Sequence, residues 1–541
     1  MNILRLKNKK SSPQEFALIV GIILFAILIV RTNYSGNAFY NFDMYSDQLY
    51  ARLVSEEGTV FPSDWVFGNQ YYVIATPVLA GLLNTLIHNS FISMATASTL
   101  MFLLTLTVFA WSFYPFLDRL SLLVAMFCLS GAAVLGDSAS SHIAGFQLFY
   151  TMASYYACYV IGILYTVGIW FRLRNMVKVG AFLWFPALAA AMALGMQSLR
   201  ETLVLYIPLT VLEVFSVLKN RKVNRLSAVF TVSTFISNVI GLIVIRYCPV
   251  NSSPIIGEIM LDLHPAAVSE HFRQSVRELY QMTGVPYLFS GWKWKILGVI
   301  GLLYTLVAVS ALIAALIRKE QSAVSQMVKF CAISIGGVLL VGSFLFRVRD
   351  IYYFVWVLLV VSAFAYLFTK SGNKTVQGIL LVSLLLSGAV NLFYNFYPDY
   401  VKQKELDSFY SSVAKDLSEK GITIILVDMN TPPAAASVSG DRITAVTYTY
   451  NNESETQSLL KAVPFLQAVT CVENIDPEHT LIILSDYLYS DYSSIEYLEL
   501  FTSEEYRQRF FDSIELVDEQ SCTYVTLYFY RFSNADILES S

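Results

Sequence analysis

Residues 71–90 read YYVIATPVLAGLLNTLIHNS, and how this stretch lies decides the topology of everything after it. It has the length to cross a bilayer, for which about 20 apolar residues suffice. It also carries Pro77, Asn84 and His88. If it crossed, the segment GDSASSHIAGF (136–146) would face the cytoplasm and the later basic loops would face outward. Laid flat on the membrane surface, it removes both conflicts. We therefore read 71–90 as an interfacial helix.

Working outward, the chain has 541 residues, 56% hydrophobic and only 14% charged, where a soluble domain carries about 25% charged residues. Apolar runs of spanning length recur at 16–31, 93–113, 119–136, 148–171, 179–196, 202–218, 226–247, 293–317, 326–346, 351–369 and 375–396. The fold class expected is a polytopic α-helical membrane protein of about eleven spans. The pieces expected in the cytoplasm are the N-terminal tail, Asp118-Arg119, 172–178, 219–225, 318–329 and 370–374. They are rich in Lys and Arg, and their only acids are Glu15, Asp118 and Glu320. The positive-inside rule is then satisfied, with the N-terminus inside and the C-terminus outside. Basic residues before the first span also suit a signal peptide, but no small-residue cleavage site follows, so an uncleaved anchor is expected.

Two units follow. Residues 1–396 form the membrane domain, with larger outer loops at 32–92 and 248–292. Residues 397–541 read as an extracytoplasmic α/β domain with 24 acidic and 9 basic residues, a net charge of −15. So acidic a domain argues against nucleic-acid binding. DSFYSSVAKDLSEKG (407–421) has helical periodicity and ends in Gly421. ITIILVD (422–428), RITAVTYTY (442–450), HTLIILSDYLY (479–489) and CTYVTLYFYRF (522–532) read as strands, rich in β-branched and aromatic residues. SETQSLLKAVPFLQAV (454–469) and EEYRQRFFDSI (504–514) read as helices, and TPPAAASVSG (431–440) as a loop or a loop leading into a helix. Cys471 and Cys522 fall in this domain and are candidates for a disulfide. Cys128, Cys158, Cys248 and Cys331 fall in or beside spans, where small apolar packing is the expected role.

The chemistry concentrates in the first outer loop, FDMYSDQLYARLVSEEGTVFPSDWVFGNQYY (42–72). Carboxylates at a lipid–water boundary are costly and are kept for a partner or a task. Asp43 and Asp47 are four residues apart, so one helical turn puts both on the same face. Two close carboxylates favour split roles, one as base and one orienting it. The alternative is a pair of solvated acids near the headgroups. Trp65 and the neighbouring aromatics, with Asn69, suit either a sugar- or lipid-binding cleft or an interfacial belt.

Other charges sit at outer junctions. SLRETL (198–203) places Arg200 and Glu201 there, and FRVRDIYYF (346–354) places Arg347, Arg349 and Asp350 before Tyr352 and Tyr353. Arginine on the outer side runs against the positive-inside rule and calls for a reason. A phosphate ligand is one, since guanidinium binds its oxygens through paired hydrogen bonds. Structural ion pairs, Arg200 with Glu201 or Arg349 with Asp350, are another. His142, near Asp137 and Gln147, could bond a sugar hydroxyl or a phosphate, or be structural. The 248–292 loop holds acids, arginines and two histidines without metal-ligand spacing, and reads as a lid or acceptor surface.

With an acidic pair after the first span, an interfacial helix, then a span, a basic turn and another span, residues 1–396 resemble the GT-C class of glycosyltransferases. The bacterial protein mannosyltransferase and aminoarabinose transferase group is the most similar. SDQLYARLVSEEGTVFPSDWVFGN (46–69) looks like that group's loop, in which the Asp after Ser is the base. The resemblance implies Asp47 as the base, with Asp43 as second choice and Asp64 as a bystander. Many members have adjacent acids, whereas Gln48 follows Asp47 here. It implies a bacterial plasma-membrane enzyme that moves a sugar from a polyprenyl-phosphate donor to an extracytoplasmic glycan, protein or lipid acceptor, with inversion. Arg200, Arg347 or Arg349 would hold the phosphate, with Glu201, Tyr353, His142, Trp65 and Asn69 lining the substrate. No cofactor is expected; a divalent metal is compatible with the Asp pair but not required. The competing classes are a polysaccharide polymerase or ligase, a lipid-linked-sugar transporter, and a non-catalytic scaffold.

Overall fold

The computed structural model describes residues 12–35, 42–67, 70–132, 156–177, 179–221, 223–252, 263–318, 320–345, 349–393, 397–428, 431, 433–450, 460–462, 475–487, 514–533 and 538–539. It is mostly helical with a small C-terminal sheet. Eight helices among the described residues are long and apolar enough to cross a membrane. The protein is therefore compatible with multi-pass membrane insertion.

The helices, in chain order, are α1 (Pro13–Ser35), α2 (Phe42–Glu57), α3 (Thr76–Ile87), α4 (Ser90–Phe113), α5 (Arg119–Phe127), α6 (Ala157–Arg174), α7 (Trp184–Gln197), α8 (Ile207–Asn220), α9 (Arg225–Val244), α10 (Pro265–Met282), α11 (Trp292–Ile317), α12 (Ala323–Gly342), α13 (Val355–Lys370) and α14 (Lys374–Asn391). Three expected spans, at 119–136, 179–196 and 202–218, are shorter apolar helices. Several starts are written in the sequence as side-chain caps. Asn89, Asp118, Asn224, Ser322 and Asn373 each accept a backbone N–H from the first turn of the helix that follows. Each satisfies a donor that the helix itself leaves open.

The deciding stretch, 71–90, is helical only over Thr76–Ile87, with Pro77 in its first turn. Twelve residues rise about 18 Å, too little for a hydrocarbon core of about 30 Å. Thr76, Pro77, Val78, Ala80, Gly81 and Asn84 are buried, while Leu82 and Leu86 are exposed. One face meets protein and the other presents leucine.

Several polar contacts join the segments between helices. Glu15 pairs with Arg119 at 3.7 Å, Glu320 pairs with Lys370, and the Asn224 amide donates to Leu173 O. The Phe67 N–H donates to Asn251 O, joining the segment after α2 to the segment after α9. Within the bundle, α6 and α13 are the most enclosed of the long helices and α1 among the least. Small residues let α7 and α9 touch backbone to backbone: a Cβ on Gly195 would lie 2.1 Å from Asn238 O, and one on Gly241 would lie 2.0 Å from Met192 O.

Beyond α14, helix α15 (Tyr397–Glu419) leads into the C-terminal domain, followed by β1 (Ile424–Asp428), α16 (Ala434–Val438), β2 (Thr444–Tyr450), β3 (Leu460–Ala462), β4 (Thr480–Tyr487), β5 (Ile514–Ser521), β6 (Val525–Phe532) and β7 (Leu538–Glu539). Gly421, at φ +75°, follows the end of α15, the left-handed geometry that a helix terminus favours glycine for. Leu406, Tyr410, Val413, Ala414 and Leu417 form its buried stripe. The sheet order is β5-β6-β4-β1-β2-β3-β7, with β4, β1 and β2 parallel at the centre. A central parallel strand is covered on both faces, which is why β1 is a near-continuous apolar run.

Two expectations change here. The helix expected at 454–469 contains β3, which pairs antiparallel with β2 in the register Thr449↔Lys461. Its local apolar spacing yields to the pairing that the edge of β2 offers. β5 was not expected, because Glu515, Asp518 and Glu519 interrupt its apolar residues and its strand conformation comes from pairing with β6. The helix expected at 504–514 and Cys471 lie outside the described residues; Cys522 is a free thiol.

Candidate active site

Asp43 and Asp47 both lie on α2, one turn apart. The side chain of Asp43 lies outside the described part. Asp47 is buried at 1% exposure. Its stripe continues through Ala51 and Val54, which face α3: a Cβ on Gly81 would lie 2.5 Å from Val54 Cγ1 and 3.0 Å from Ala51 O. Only glycine permits that approach. Burial first, and then the Asp47 carboxylate, push the pKa of the Tyr50 hydroxyl up, so Tyr50 stays a neutral donor, here to Val60 O at 2.7 Å. Tyr50 in turn contacts Trp65, Phe67 and Tyr72 edge-on, with ring centroids 5.5, 5.7 and 5.0 Å away. Trp65 is thus sealed inside an aromatic cluster that supports α2. Asp64 stands apart in the 58–64 turn, where Glu57 accepts the Ser63 N–H, the Ser63 hydroxyl and the Asp64 N–H.

The second centre is Arg200, between α7 and α8. Its guanidinium lies 4.9 Å from the Tyr156 ring, 5.2 Å from Tyr159 and 5.4 Å from Tyr352. Tyr156 and Tyr159 stand at the start of α6, and Tyr352 stands just before α13. Nη1 also donates to Gln70 Oε1 at 3.4 Å. Among the described residues, Arg200 forms no ion pair within 4.0 Å. The alternative of an ion pair with Glu201 is not realised. Glu201 turns inward, fully buried, and neither carboxylate oxygen has a hydrogen-bond partner among the described residues. Gly162 makes room for it, since a Cβ there would sit 3.2 Å from Oε1. The π-helical segment Thr202–Tyr206 follows directly; such bulges cluster at functional sites.

The first outer loop is tied to Arg200 through two amides. Gln197 Oε1 accepts the N–H groups of Val73 and Ile74, its backbone O accepts that of Tyr71, and its Nε2 donates to the Tyr159 hydroxyl at 3.0 Å. The Tyr159 hydroxyl donates to Gln70 Oε1 at 3.2 Å. Residues 70–74 therefore bridge the α2 aromatic cluster and the arginine cage. Arg349 is exposed, and its charge acts on Tyr156 together with that of Arg200.

Of the residues expected at the site, Arg200 packs on Tyr156, Glu201 turns inward beside Gly162, and Asp47 and Trp65 belong to the α2 cluster. Tyr353 is fully buried, bonded to Ser275 of α10 at 2.6 Å, and so anchors the second outer loop. His142, Arg347 and Asn69 lie outside the described residues. Tyr156, Tyr159, Gln70 and Gln197 were missed. The run MASYYACY (152–159) offered a signal, but tyrosines at a span end read equally as an interfacial belt. Among the described residues no three His, Cys, Asp or Glu side chains converge as a metal site would need. No protein-family model and no curated protein sequence matches the chain.

Proposed function

We propose that the protein is an integral-membrane glycosyltransferase of the GT-C kind, moving a sugar from a polyprenyl-phosphate donor to an extracytoplasmic acceptor. The observation that carries the reading is Arg200: a half-buried guanidinium caged by three tyrosines with no carboxylate partner within 4.0 Å among the described residues. A cation removed from water without a counter-ion is costly, and an anionic ligand offsets that cost. Arg349, exposed at the start of the 349–354 segment before α13, supplies a second cation suited to a group with more than one charged oxygen. The sugar class rests on the first-loop resemblance, and the phosphate on the arginines.

In this reading Asp47 takes the proton of the acceptor hydroxyl. That oxygen attacks the anomeric carbon, the bond from carbon to the lipid phosphate oxygen breaks, and its electron pair leaves on the phosphate. Arg200 and Arg349 neutralise the charge that develops there. Eleven spans, an inside N-terminus and an outside C-terminal domain in a bacterial plasma membrane belong to the same proposal.

The test is transfer from polyprenyl-phosphate sugars by purified protein. Asp47→Asn abolishes transfer while expression and membrane insertion stay normal. Retained transfer in Asp47→Asn and in Asp43→Asn alike refutes the base assignment.

A further inference from the structure

The face of α2 away from α3 is gripped by the C-terminal domain. Tyr45, Gln48 and Arg52 recur at spacings of three and four and so form one stripe. The Tyr45 hydroxyl accepts the Ala445 N–H at 2.8 Å. Gln48, 4% exposed, donates to Ser437 O at 3.0 Å and to Ser90 Oγ at 2.9 Å, and accepts from the Ser437 hydroxyl. Arg52 donates to Asp441 O at 3.4 Å and to Thr444 Oγ1 at 3.2 Å. Asp441 closes the ring: its carboxylate accepts the Ser90 N–H at 2.9 Å and the Ser90 hydroxyl. Gly440, at φ +67°, brings this turn against Asn89, where a Cβ would lie 3.0 Å from Nδ2.

We infer that the C-terminal domain is a clamp whose 437–445 segment sets the roll of α2, making Gln48 and Asp441 positioning residues for Asp47. Successive helix residues are about 100° apart, so a helix held by the stripe 45/48/52 has the direction of Asp47 determined. The polarity of the clamp is specific. Ser90 Oγ accepts from Gln48 and donates to Asp441, a relay that works only with a donor at 48 and an acceptor at 441. A carboxylate at 48 would meet the Ser437 carbonyl, the Ser90 oxygen and the Asp441 charge with nothing to donate. Asp441, at φ +70°, tolerates asparagine, which favours that region equally. Docking stands by itself; the role of Asp47 as a base rests on the transferase reading.

The experiment is amide hydrogen exchange on the full-length protein in detergent, followed over residues 45–54 and 439–446. Gln48→Glu raises exchange in both segments about tenfold, the effect of losing one well-made buried hydrogen bond. Tyr45→Phe raises it at Ala445 alone. Gln48→Glu combined with Asp441→Asn reverses the relay. The amide introduced at 441 donates to Ser90, Ser90 donates to the carboxylate introduced at 48, and exchange falls back toward wild type. Unchanged exchange in Gln48→Glu, or no recovery in the double variant, overturns the clamp. In the transfer assay Gln48→Glu lowers kcat while KM for the donor is kept, and the double variant recovers it. Undocking with wild-type kcat overturns positioning and leaves the transferase reading standing. An inactive wild type sinks that reading, while exchange in 45–54 still judges the clamp.

Discussion

Replacing Arg200 tests the proposed phosphate site most directly. Arg200→Ala removes a guanidinium held against three rings at 4.9, 5.2 and 5.4 Å. Each such contact contributes about 0.5–1 kcal/mol, so the variant loses roughly 2 kcal/mol of stability. Arg200→Lys keeps the charge next to buried Glu201 and loses less, but it lacks the planar fork. Ligand linkage gives the sharper measurement. An anion bound at 100 times its Kd stabilises the native state by about 2.7 kcal/mol. Unfolding can be followed with a thiol-reactive dye, because Cys128, Cys158 and Cys331 are buried thiols outside any disulfide that react only on opening. With saturating polyprenyl phosphate the wild-type midpoint rises by several degrees. Arg200→Ala shows no rise, and Arg200→Lys only part of it. An equal rise in wild type and Arg200→Ala would falsify the assignment of Arg200 to the phosphate.

Two further predictions concern the scaffold. Glu213 accepts from Arg174 at 3.0 Å, from Trp170 Nε1 at 2.8 Å and from Ser227 Oγ at 2.9 Å. Glu213→Ala leaves a nearly enclosed arginine and an indole unpaired and costs about 3–5 kcal/mol, while Glu213→Gln keeps acceptors and costs less; equal midpoints for the two variants in the thiol assay would refute this. Asp407, between buried Leu406 and Tyr410 on α15, has its pKa pushed up by burial to about 7 from 3.8. The folded pKa exceeds the unfolded one, so ionisation costs stability that is intact below about pH 4 and lost as pH rises toward 7. Asp407→Asn is therefore more stable than wild type at pH 8 and gains little at pH 4; the same difference at both values contradicts the burial argument.

Much of the fold was legible because its signals are local. Apolar runs of spanning length mark helices wherever backbone groups have no water to bond. Asn89, Asp118, Asn224, Ser322 and Asn373 announce helix starts, and Gly421 announces a stop. Pro77 marks the first turn of the short helix within 71–90. The site was legible only by halves. Asp47 and Arg200 stood out as charges where charge is costly, yet a lone arginine cannot declare whether its partner is Glu201 or a ligand. The strand β3 was misread because three residues on a sheet edge take their conformation from a neighbour.

The sequence by itself determined the helical, membrane-compatible character of the chain, many of its helix starts and the central strands of the C-terminal sheet. These follow from hydropathy, charge bias and capping, which act within a few turns of chain. Only the tertiary structure decided that Glu201 turns away from Arg200, that Tyr156, Tyr159 and Tyr352 enclose the guanidinium, and that Gln48 bonds to Ser437, 389 residues along the chain. Such contacts come from packing helices distant in sequence, and a buried amide or tyrosine looks the same along the chain whether it holds a domain, a cation or nothing.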